Sequence, residues 1–320
     1  MKTIIKVVAV LFILVLIIAG AGVGYLLFAL PNVGPASGDN VETTPQRLAR
    51  GEYLANNVMS CMDCHSKRDW AKFAGPMLPG TEGEGGEEWV GEFGKLVATN
   101  ITPTELGSWT DGEIIRVTAS GVNKAGEPIF PLMPYLHYNR ASQEDLDSLV
   151  VYLRTLQPKK NIPPKSQLAF PFTLLVRTMP IFYQPKPQPD TRDKIAYGKY
   201  LASIGGCEEC HTPMKNGAPL PGMEFAGGFE FPLPTGGIVR STNLTPDPES
   251  GMGGMTRDEF VQAFKKYLDP ETQTPVGKGD FNTVMPWTFM AKITEEDLDA
   301  IYAFLMQLKP VKNQVEVFSQ

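Results

Sequence analysis

The sequence predicts a mostly α-helical protein with long loops, made of two tandem copies of one domain behind a single N-terminal transmembrane helix. Three observations lead to this prediction: a long uncharged segment at the start, an internal repeat over the rest of the chain, and amphipathic helix patterns at matching places in both copies. The chain of 320 residues is long enough for about two domains of ordinary size. Because it contains 31 Gly and 28 Pro, longer loops than average are expected.

The overall charge argues against one class of partner. Lys and Arg together number 29 and Asp and Glu 35, which gives a net charge of −6. Proteins that bind nucleic acid need a basic surface to neutralise phosphates. We therefore expect no nucleic-acid partner.

The first element is an uncharged run of 24 residues at 7–30. At 1.5 Å per residue, a helix of this length covers a hydrocarbon core of about 30 Å. Lys6 is the last charge before the run and Arg47 is the first basic residue after it, so the positive-inside rule puts the rest of the chain outside the cytoplasm. A cleaved signal peptide is the alternative, but its apolar region is usually shorter. We assign 1–31 to a transmembrane anchor and 32–45 to a polar tether.

The sequence after the tether consists of two similar copies. Four motifs recur in the same order, and in single-letter code they are RGEYLA and YGKYLA, CMDCH and CEECH, TNITP and TNLTP, and MPY and MPW. The offset between the copies grows from 146 residues at the cysteines to 152 at Met-Pro, which predicts extra chain at 269–279 in the second copy. The repeat indicates two domains, at 46–160 and 193–320, joined by a Pro-rich linker at 161–192.

Helix signals occupy matching places in the two copies. Thr110 with Glu113, and Thr256 with Glu259, have the spacing of a capping box, in which the two side chains satisfy free backbone amides at a helix start. Later in each copy apolar residues recur at helical spacing, and a proline follows. The Gly- and Pro-rich chain between these helices has no sustained alternation typical of strands.

All four cysteines lie in Cys-x-x-Cys-His patterns, which are the attachment signature of c-type haem. Residues three apart on a helical turn share one face, so both thiols can reach one edge of a porphyrin while the adjacent imidazole reaches the iron. Two covalently bound haems c are therefore predicted. One zinc site shared by the four cysteines, or two redox disulfides, are the alternatives, and neither explains a histidine after each pair.

The two irons need sixth ligands, and methionine is the candidate in both copies, because each copy has a methionine before proline and an aromatic residue at the same place. Thioether ligation raises the iron potential and leaves no open position, which favours electron transfer over catalysis. The predicted cofactor-binding residues are Cys61, Cys64, His65, Met133, Cys207, Cys210, His211 and Met285. Of these, His65, Met133, His211 and Met285 are the predicted axial ligands of iron.

His137 is the histidine outside these patterns. It follows Met133 by four residues and stands where the second copy has Phe289. We expect an ordinary polar residue near the haem edge, with axial ligation in place of Met133 as the alternative.

The linker contains an apolar stretch at 168–183. Its prolines and Arg177 argue against a second membrane span. A strap packed across the two domains is expected, and an exposed docking surface is the alternative.

These residues resemble the multihaem cytochrome c subunits of membrane-associated periplasmic dehydrogenases, such as alcohol and gluconate dehydrogenase. The resemblance is carried by the segments between each haem motif and Met-Pro, NITP with GSWTD in the first copy and NLTP with GGMTR in the second, and it covers about residues 46–315. It implies tandem class I cytochrome c domains with His65/Met133 and His211/Met285 as axial pairs. This chain has two haem motifs where those subunits typically have three.

The resemblance implies a membrane-anchored, periplasmic diheme cytochrome that relays single electrons from a dehydrogenase or quinol-oxidising partner to a downstream acceptor, and that is not itself an enzyme. A diheme subunit of a haem–copper oxidase is one alternative, since it also has an N-terminal anchor and two such domains. A diheme peroxidase-type enzyme is the other. It needs an iron with an open or labile sixth position, whereas Met133 and Met285 close both.

Overall fold

The computed structural model of the protein describes residues 1–215 and 217–320. Within these residues the chain is mostly helical, with short strands between long loops, and it begins with an apolar helix. At this level the predicted fold class is confirmed.

The N-terminal segment forms one continuous helix, α1 (Lys2–Phe28), with no residue buried against the rest of the protein. It is long and apolar enough to cross a bilayer, a test that a signal sequence also passes. The chain after it packs on the first half: Val33 is buried, and the amide of Val41 donates to Asp111 Oδ2 at 2.9 Å. The segment predicted as a tether is thus held against the first half.

The first half, which the structure describes in full, contains six α-helices. In chain order they are α2 (Pro45–Tyr53), α3 (Cys61–Cys64), α4 (Pro103–Leu106), α5 (Asp111–Ser120), α6 (Tyr135–Tyr138) and α7 (Gln143–Thr155). The predicted capping box is formed at the start of α5, because the Thr110 hydroxyl accepts from the Glu113 amide and the Glu113 carboxylate accepts from the Thr110 amide. α2 continues through one π-turn at Leu54–Val58.

The linker and the second half supply the remaining helices. They are α8 (Phe172–Leu175), α9 (Lys194–Ile204), α10 (Cys207–Cys210), α11 (Arg257–Lys265), α12 (Trp287–Met290) and α13 (Glu295–Leu305). The capping box of Thr256 and Glu259 is formed at α11. Helices α9 to α13 repeat α2, α3, α5, α6 and α7 in order, so the sequence repeat is also a structural one.

In each half a glycine lets the first and last helices cross in contact. A Cβ added to Gly51 of α2 would lie 1.9 Å from the carbonyl oxygen of Ser148 in α7, and one on Gly198 of α9 would lie 1.8 Å from that of Ala300 in α13. A backbone oxygen cannot rotate away as a flexible side chain can. The glycine shared by the RGEYLA and YGKYLA motifs is therefore required by the helix crossing.

The structure also contains short antiparallel strands that the sequence does not predict. They are β1 (Glu88–Gly91), β2 (Gly94–Val97), β3 (Gln167–Leu168), β4 (Met214–Lys215), β5 (Ala218–Pro219), β6 (Glu230–Pro232), β7 (Ile238–Arg240) and β8 (Phe318–Ser319). β1, β2 and β3 form one sheet and β6, β7 and β8 another, while β4 pairs with β5. Strands of two to four residues are too short for an alternating pattern to be recognised. β3 and β8 follow the last long helix of each half and pair with β2 and β7.

The two halves share one hydrophobic core. Buried side chains of both halves belong to a single continuous cluster, which includes Leu54 and Leu149 from the first half and Leu201 and Leu298 from the second. Burial of apolar side chains is the main favourable contribution to such packing. The halves therefore pack as one unit in the described part of the chain.

A reciprocal pair of hydrogen bonds relates the two halves. Tyr53 donates to Asp297 Oδ2 at the start of α13, and Tyr200 donates to Asp145 Oδ2 at the start of α7, both at 2.6 Å. The two tyrosines occupy equivalent places in the repeat, and so do the two aspartates. The halves thus face each other with approximate two-fold symmetry. Burial, together with the neighbouring carboxylate, raises the pKa of both tyrosines, which keeps them protonated as donors.

The extra chain of the second half makes a further contact with the first. The Phe73 amide donates to the Thr274 carbonyl, and the Val276 amide donates to the Ala71 carbonyl, each at 2.8 Å. The buried side chain of Asn282 accepts from the Ala74 amide at 2.8 Å. The insertion predicted at 269–279 thus ties the second half to the first.

The apolar stretch at 168–183 lies along the first half and beside the end of α1. Arg177 Nη1 donates to the Leu30 carbonyl at 2.8 Å, the Tyr183 hydroxyl to the Ala141 carbonyl at 3.1 Å, and Asn139 Nδ2 to the Phe182 carbonyl at 3.1 Å. This differs from the predicted strap across both domains. That connection is made instead by the insertion and by the paired tyrosines.

Candidate haem-binding sites

The first Cys-x-x-Cys-His motif is one helical turn followed by the histidine. α3 presents Cys61 and Cys64 three residues apart, and the His65 amide donates to the Cys61 carbonyl at 3.0 Å to close the turn. Burial raises the pKa of the Cys61 thiol to about 12, so in the absence of a covalent partner this thiol stays protonated. The turn places two thiols and an imidazole side by side.

The ring of His65 is oriented from behind by the backbone. Its Nδ1 lies 2.7 Å from the Thr99 carbonyl oxygen. Because a carbonyl only accepts, Nδ1 carries the proton and the lone pair of Nε2 is free. Burial lowers the pKa of His65, which keeps the ring neutral. A neutral imidazole held by a carbonyl at one nitrogen is the form that binds a metal with the other.

The second motif has the same construction. α10 presents Cys207 and Cys210, and His211 Nδ1 lies 2.7 Å from the Thr242 carbonyl oxygen. Burial lowers the pKa of His211 and raises that of Cys207 to about 11. The distance from the histidine Nδ1 to the threonine carbonyl oxygen is thus the same at both predicted sites.

The Thr-Asn-x-Thr-Pro motif positions the carbonyl behind the histidine. Asn100 accepts from the Thr102 amide at 2.8 Å and donates to the Lys159 carbonyl at 2.9 Å, which fixes the backbone next to Thr99. In the second half Asn243 makes the equivalent bonds to the Thr245 amide and the Val311 carbonyl. The sequence marks this motif only as part of the repeat. Its role in orienting the histidine is visible in the fold alone.

A glycine closes the loop around each histidine. The Gly85 amide donates to the His65 carbonyl at 2.8 Å, and the Gly227 amide donates to that of His211 at 2.7 Å. Both glycines have positive φ, and a Cβ on either would lie 2.5 Å from the carbonyl carbon of the threonine that orients the ring. Only glycine meets both requirements.

Met133 and Met285 lie in equivalent loops just before α6 and α12. In each loop the amide two residues further on donates to the methionine carbonyl at 2.7 Å. Both side chains are partly buried and pack against the shared core, as Cys61 and Cys207 do. The cysteine turn and the candidate thioether ligand of each half thus border the same cluster.

The chemistry of these residues fits haem c. All four thiols are unpaired, and among the described residues no group of three or more His, Cys, Asp or Glu side chains is arranged to hold a metal ion. The side chain of Tyr135, beside Met133, is fully buried, yet its hydroxyl has no hydrogen-bond partner in the described part of the chain. A buried hydroxyl of this kind requires a partner, which a polar group of a bound cofactor can supply.

His137 links the first half to the second motif. Its Nε2 lies 2.9 Å from Oε2 of Glu209, which stands between Cys207 and Cys210. Arg140, one turn further on, lies 3.2 Å from Glu208. The contact with a carboxylate is consistent with the expected polar role of His137, because it engages the ring nitrogen that faces the second half.

Known proteins resemble this chain over most of its length. It is 28% identical over 293 residues to the cytochrome c subunit of alcohol dehydrogenase (quinone) from Komagataeibacter europaeus, covering 87% of this chain and 59% of the relative. It is 27% identical over 291 residues to the gluconate 2-dehydrogenase cytochrome c subunit of Pantoea cypripedii, covering 85% and 62%. Identity to a diheme cytochrome c-type protein of Cereibacter sphaeroides is 28% over 268 residues, covering 79% and 83%.

These similarities confirm the predicted resemblance to cytochrome c subunits of dehydrogenases, at modest identity. The chain spans about three fifths of the length of the two dehydrogenase subunits. No family model matches the chain.

Proposed function

We propose that this protein is a diheme c-type cytochrome that relays single electrons from a dehydrogenase to a downstream acceptor. One observation carries the proposal: two Cys-x-x-Cys-His turns, each with Nδ1 of its histidine 2.7 Å from a threonine carbonyl. That arrangement leaves Nε2 free on a histidine that directly follows a helical turn with two thiols. A zinc site or a disulfide would not need a second, equally oriented histidine.

The proposed ligands are those predicted from the sequence. Cys61 and Cys64 hold one haem by thioether bonds with His65 and Met133 as axial ligands, and the equivalent residues of the second half hold the other. When bound, each haem supplies an iron that changes charge by one electron. The protein supplies the covalent attachment, the neutral and oriented histidine, and a shared apolar core that packs against one cysteine and the methionine of each site.

Electron transfer is favoured over catalysis because both candidate sites have a methionine in the same loop position. With a thioether at the sixth position, an iron has no place for substrate. The names of the relatives, which are cytochrome subunits of dehydrogenases, support an electron-transfer subunit with a dehydrogenase partner.

The arrangement that we propose follows the repeat. Two class I cytochrome c domains, at 46–160 and 193–320, are joined by the linker at 161–192 and anchored in the membrane by 1–31. α1 supports the anchor by its length and composition. The basic residues before it favour a periplasmic location for the two domains.

The test is the mass and absorption of the purified full-length protein. Two haems per chain are expected, and each is resistant to extraction with acid and organic solvent. The double variant Cys61→Ala/Cys64→Ala should lose one haem, and Cys207→Ala/Cys210→Ala should lose the other. A protein with the mass of the bare polypeptide would overturn the proposal.

A further inference from the structure

The apolar stretch at 168–183 exposes large apolar side chains to solvent. Phe170 is 80% exposed and Phe182 65% exposed, and Leu175 and Ile181 are also on the surface. Phe182 lies beside the chain that leaves α1, since its ring is 3.6 Å from where a Cβ on Gly34 would stand. Exposed apolar patches on proteins mark a binding surface more often than single exposed residues do.

This surface is fixed next to the end of α1. Arg177, within the stretch, donates through Nη1 to the Leu30 carbonyl at 2.8 Å and to the Leu27 carbonyl at 3.3 Å. Beyond α1 the chain packs at once on the first half, where Val33 is buried. The helix and the apolar stretch therefore keep one relative position.

The geometry of α1 sets the height of the surface in a bilayer. Lys6 is the last charged residue before the apolar run, and a hydrocarbon core of about 30 Å takes about 20 residues at 1.5 Å each. The outer edge of the core thus lies close to Leu27. Arg177 binds carbonyls at this level, where arginine extends its charge toward the headgroups and aromatic side chains are favoured.

We propose that the surface formed by Phe170, Leu175, Ile181 and Phe182 is embedded in the headgroup region of the bilayer that α1 crosses. The proposal rests on the membrane anchor proposed above. Its occupant is lipid and not a protein, because the surface adjoins the outer end of α1 at the boundary of the hydrocarbon core. The contact holds the first half on the membrane in one orientation, instead of letting it swing on a free tether.

The test uses the full-length haem-loaded protein in vesicles of phosphatidylethanolamine and phosphatidylglycerol. The variants Phe170→Cys and Phe182→Cys each carry one thiol for a nitroxide label, since thioether bonds occupy the native cysteines. Collision of the label with oxygen, which enters lipid, is compared with collision with a water-soluble nickel chelate. Leu268→Cys is the matched control, because Leu268 is an exposed apolar residue in the second half.

Labels at 170 and 182 are expected to show a ratio of oxygen to nickel collisions several-fold higher than the label at 268. Equal ratios in protein that stays with the vesicles after an alkaline wash would overturn the proposed contact while leaving the anchor intact. Equal ratios would also be the result if the surface served a protein partner. Release of the protein by the wash would overturn the anchor itself, and this proposal with it. Labelling of native cysteines would instead overturn the proposed haem attachment.

Discussion

In the first half His65 donates from Nδ1 to a threonine carbonyl at 2.7 Å, and in the second half His211 does the same at the same distance. Around these rings the two halves match, down to the glycine amide that binds each histidine carbonyl. The contacts between the halves match at the reciprocal tyrosines but differ at His137. His137 reaches Glu209 in the second motif, whereas the second half has Phe289 at the place of His137.

In the described residues, His137 and Arg140 of the first half contact carboxylates of the second half, and no basic side chain of the second half makes the reverse contact. Arg140 binds Glu208, whose place in the first motif is taken by Met62, while Asp63, the counterpart of Glu209, binds Arg68 of its own half at 2.9 Å. Copies that face each other across an approximate two-fold axis do not need identical surfaces. The proposed binding of one haem by each half places the same requirements on both halves, whereas a contact between the halves needs to form only once.

Loss of a candidate axial ligand is the largest expected effect, and it tests whether the halves are equivalent at their irons. Met133→Ala and Met285→Ala should each convert one iron of two to the high-spin state and lower its potential, because the thioether raises it. Optical spectra and a redox titration measure both changes. Met214→Ala, at an exposed site, is the control and should leave both haems low-spin. Two low-spin haems in Met133→Ala would remove Met133 from the ligand set.

Substitutions at the two helix crossings test whether both halves require glycine there. Gly51→Ala and Gly198→Ala should each lower the free energy of unfolding by more than about 3 kcal/mol, because a rigid backbone oxygen stands in the way and ordinary overpacking costs about 1–3 kcal/mol. Denaturant unfolding gives the number. Gly254→Ala, where a Cβ meets open space, should cost far less. A cost below about 1 kcal/mol in either half would mean that the crossing can relax.

The reciprocal tyrosines occupy equivalent places, but we expect them to contribute unequally to the free energy of unfolding. Tyr53→Phe and Tyr200→Phe each remove a donor from a buried carboxylate, with an expected cost of about 1–3 kcal/mol. The cost should be larger for Tyr53, because Asp145 keeps two hydrogen bonds from Arg50 at 2.8 and 2.9 Å. The second half offers Asp297 no equivalent arginine, since Tyr197 stands where the first half has Arg50.

Tyr152→Phe is the control for these two variants. Its hydroxyl accepts from Asn56 within the first half, so its loss should not affect the contact between halves. Equal costs for Tyr53→Phe and Tyr200→Phe would show that the arginine does not compensate.

Alkaline pH should weaken the same contact. The pKa values of Tyr53 and Tyr200 are raised in the folded protein by burial and by the adjacent carboxylates. Their stabilising effect is complete below the unfolded pKa of about 10 and is lost as pH rises toward the higher folded value. The free energy of unfolding should therefore fall above about pH 10, and less steeply in the double variant Tyr53→Phe/Tyr200→Phe. Identical slopes would assign the loss to other groups.

The smallest expected effect is at His137. Replacing it with phenylalanine, the residue of the second copy, removes one partly exposed contact with a carboxylate, with an expected cost of about 0.2–1 kcal/mol. Both haems should keep their spectra. Glu209→Ala removes the same contact, and the double variant should cost no more than either single one. A changed spectrum in His137→Phe alone would make His137 a ligand.

The features that depend on neighbouring residues could be predicted from the chain alone. They are the spacing of two cysteines and a histidine on one turn, the capping boxes of Thr110 and Thr256, and the order of the repeat. Helical geometry and backbone hydrogen bonds act over a few residues, so a short stretch of sequence contains all that these features require. The ligands Met133 and Met285 were predicted from the repeat, and they stay predictions.

Contacts between residues far apart in the sequence, in contrast, depend on the packing of the whole chain. The fold paired His65 with the carbonyl of Thr99 and Tyr53 with Asp297, and it laid the apolar stretch at 168–183 along the first half and α1 instead of across the two halves. Such contacts join residues tens to hundreds of positions apart. They depend on how helices pack in three dimensions, which no local pattern of the chain records.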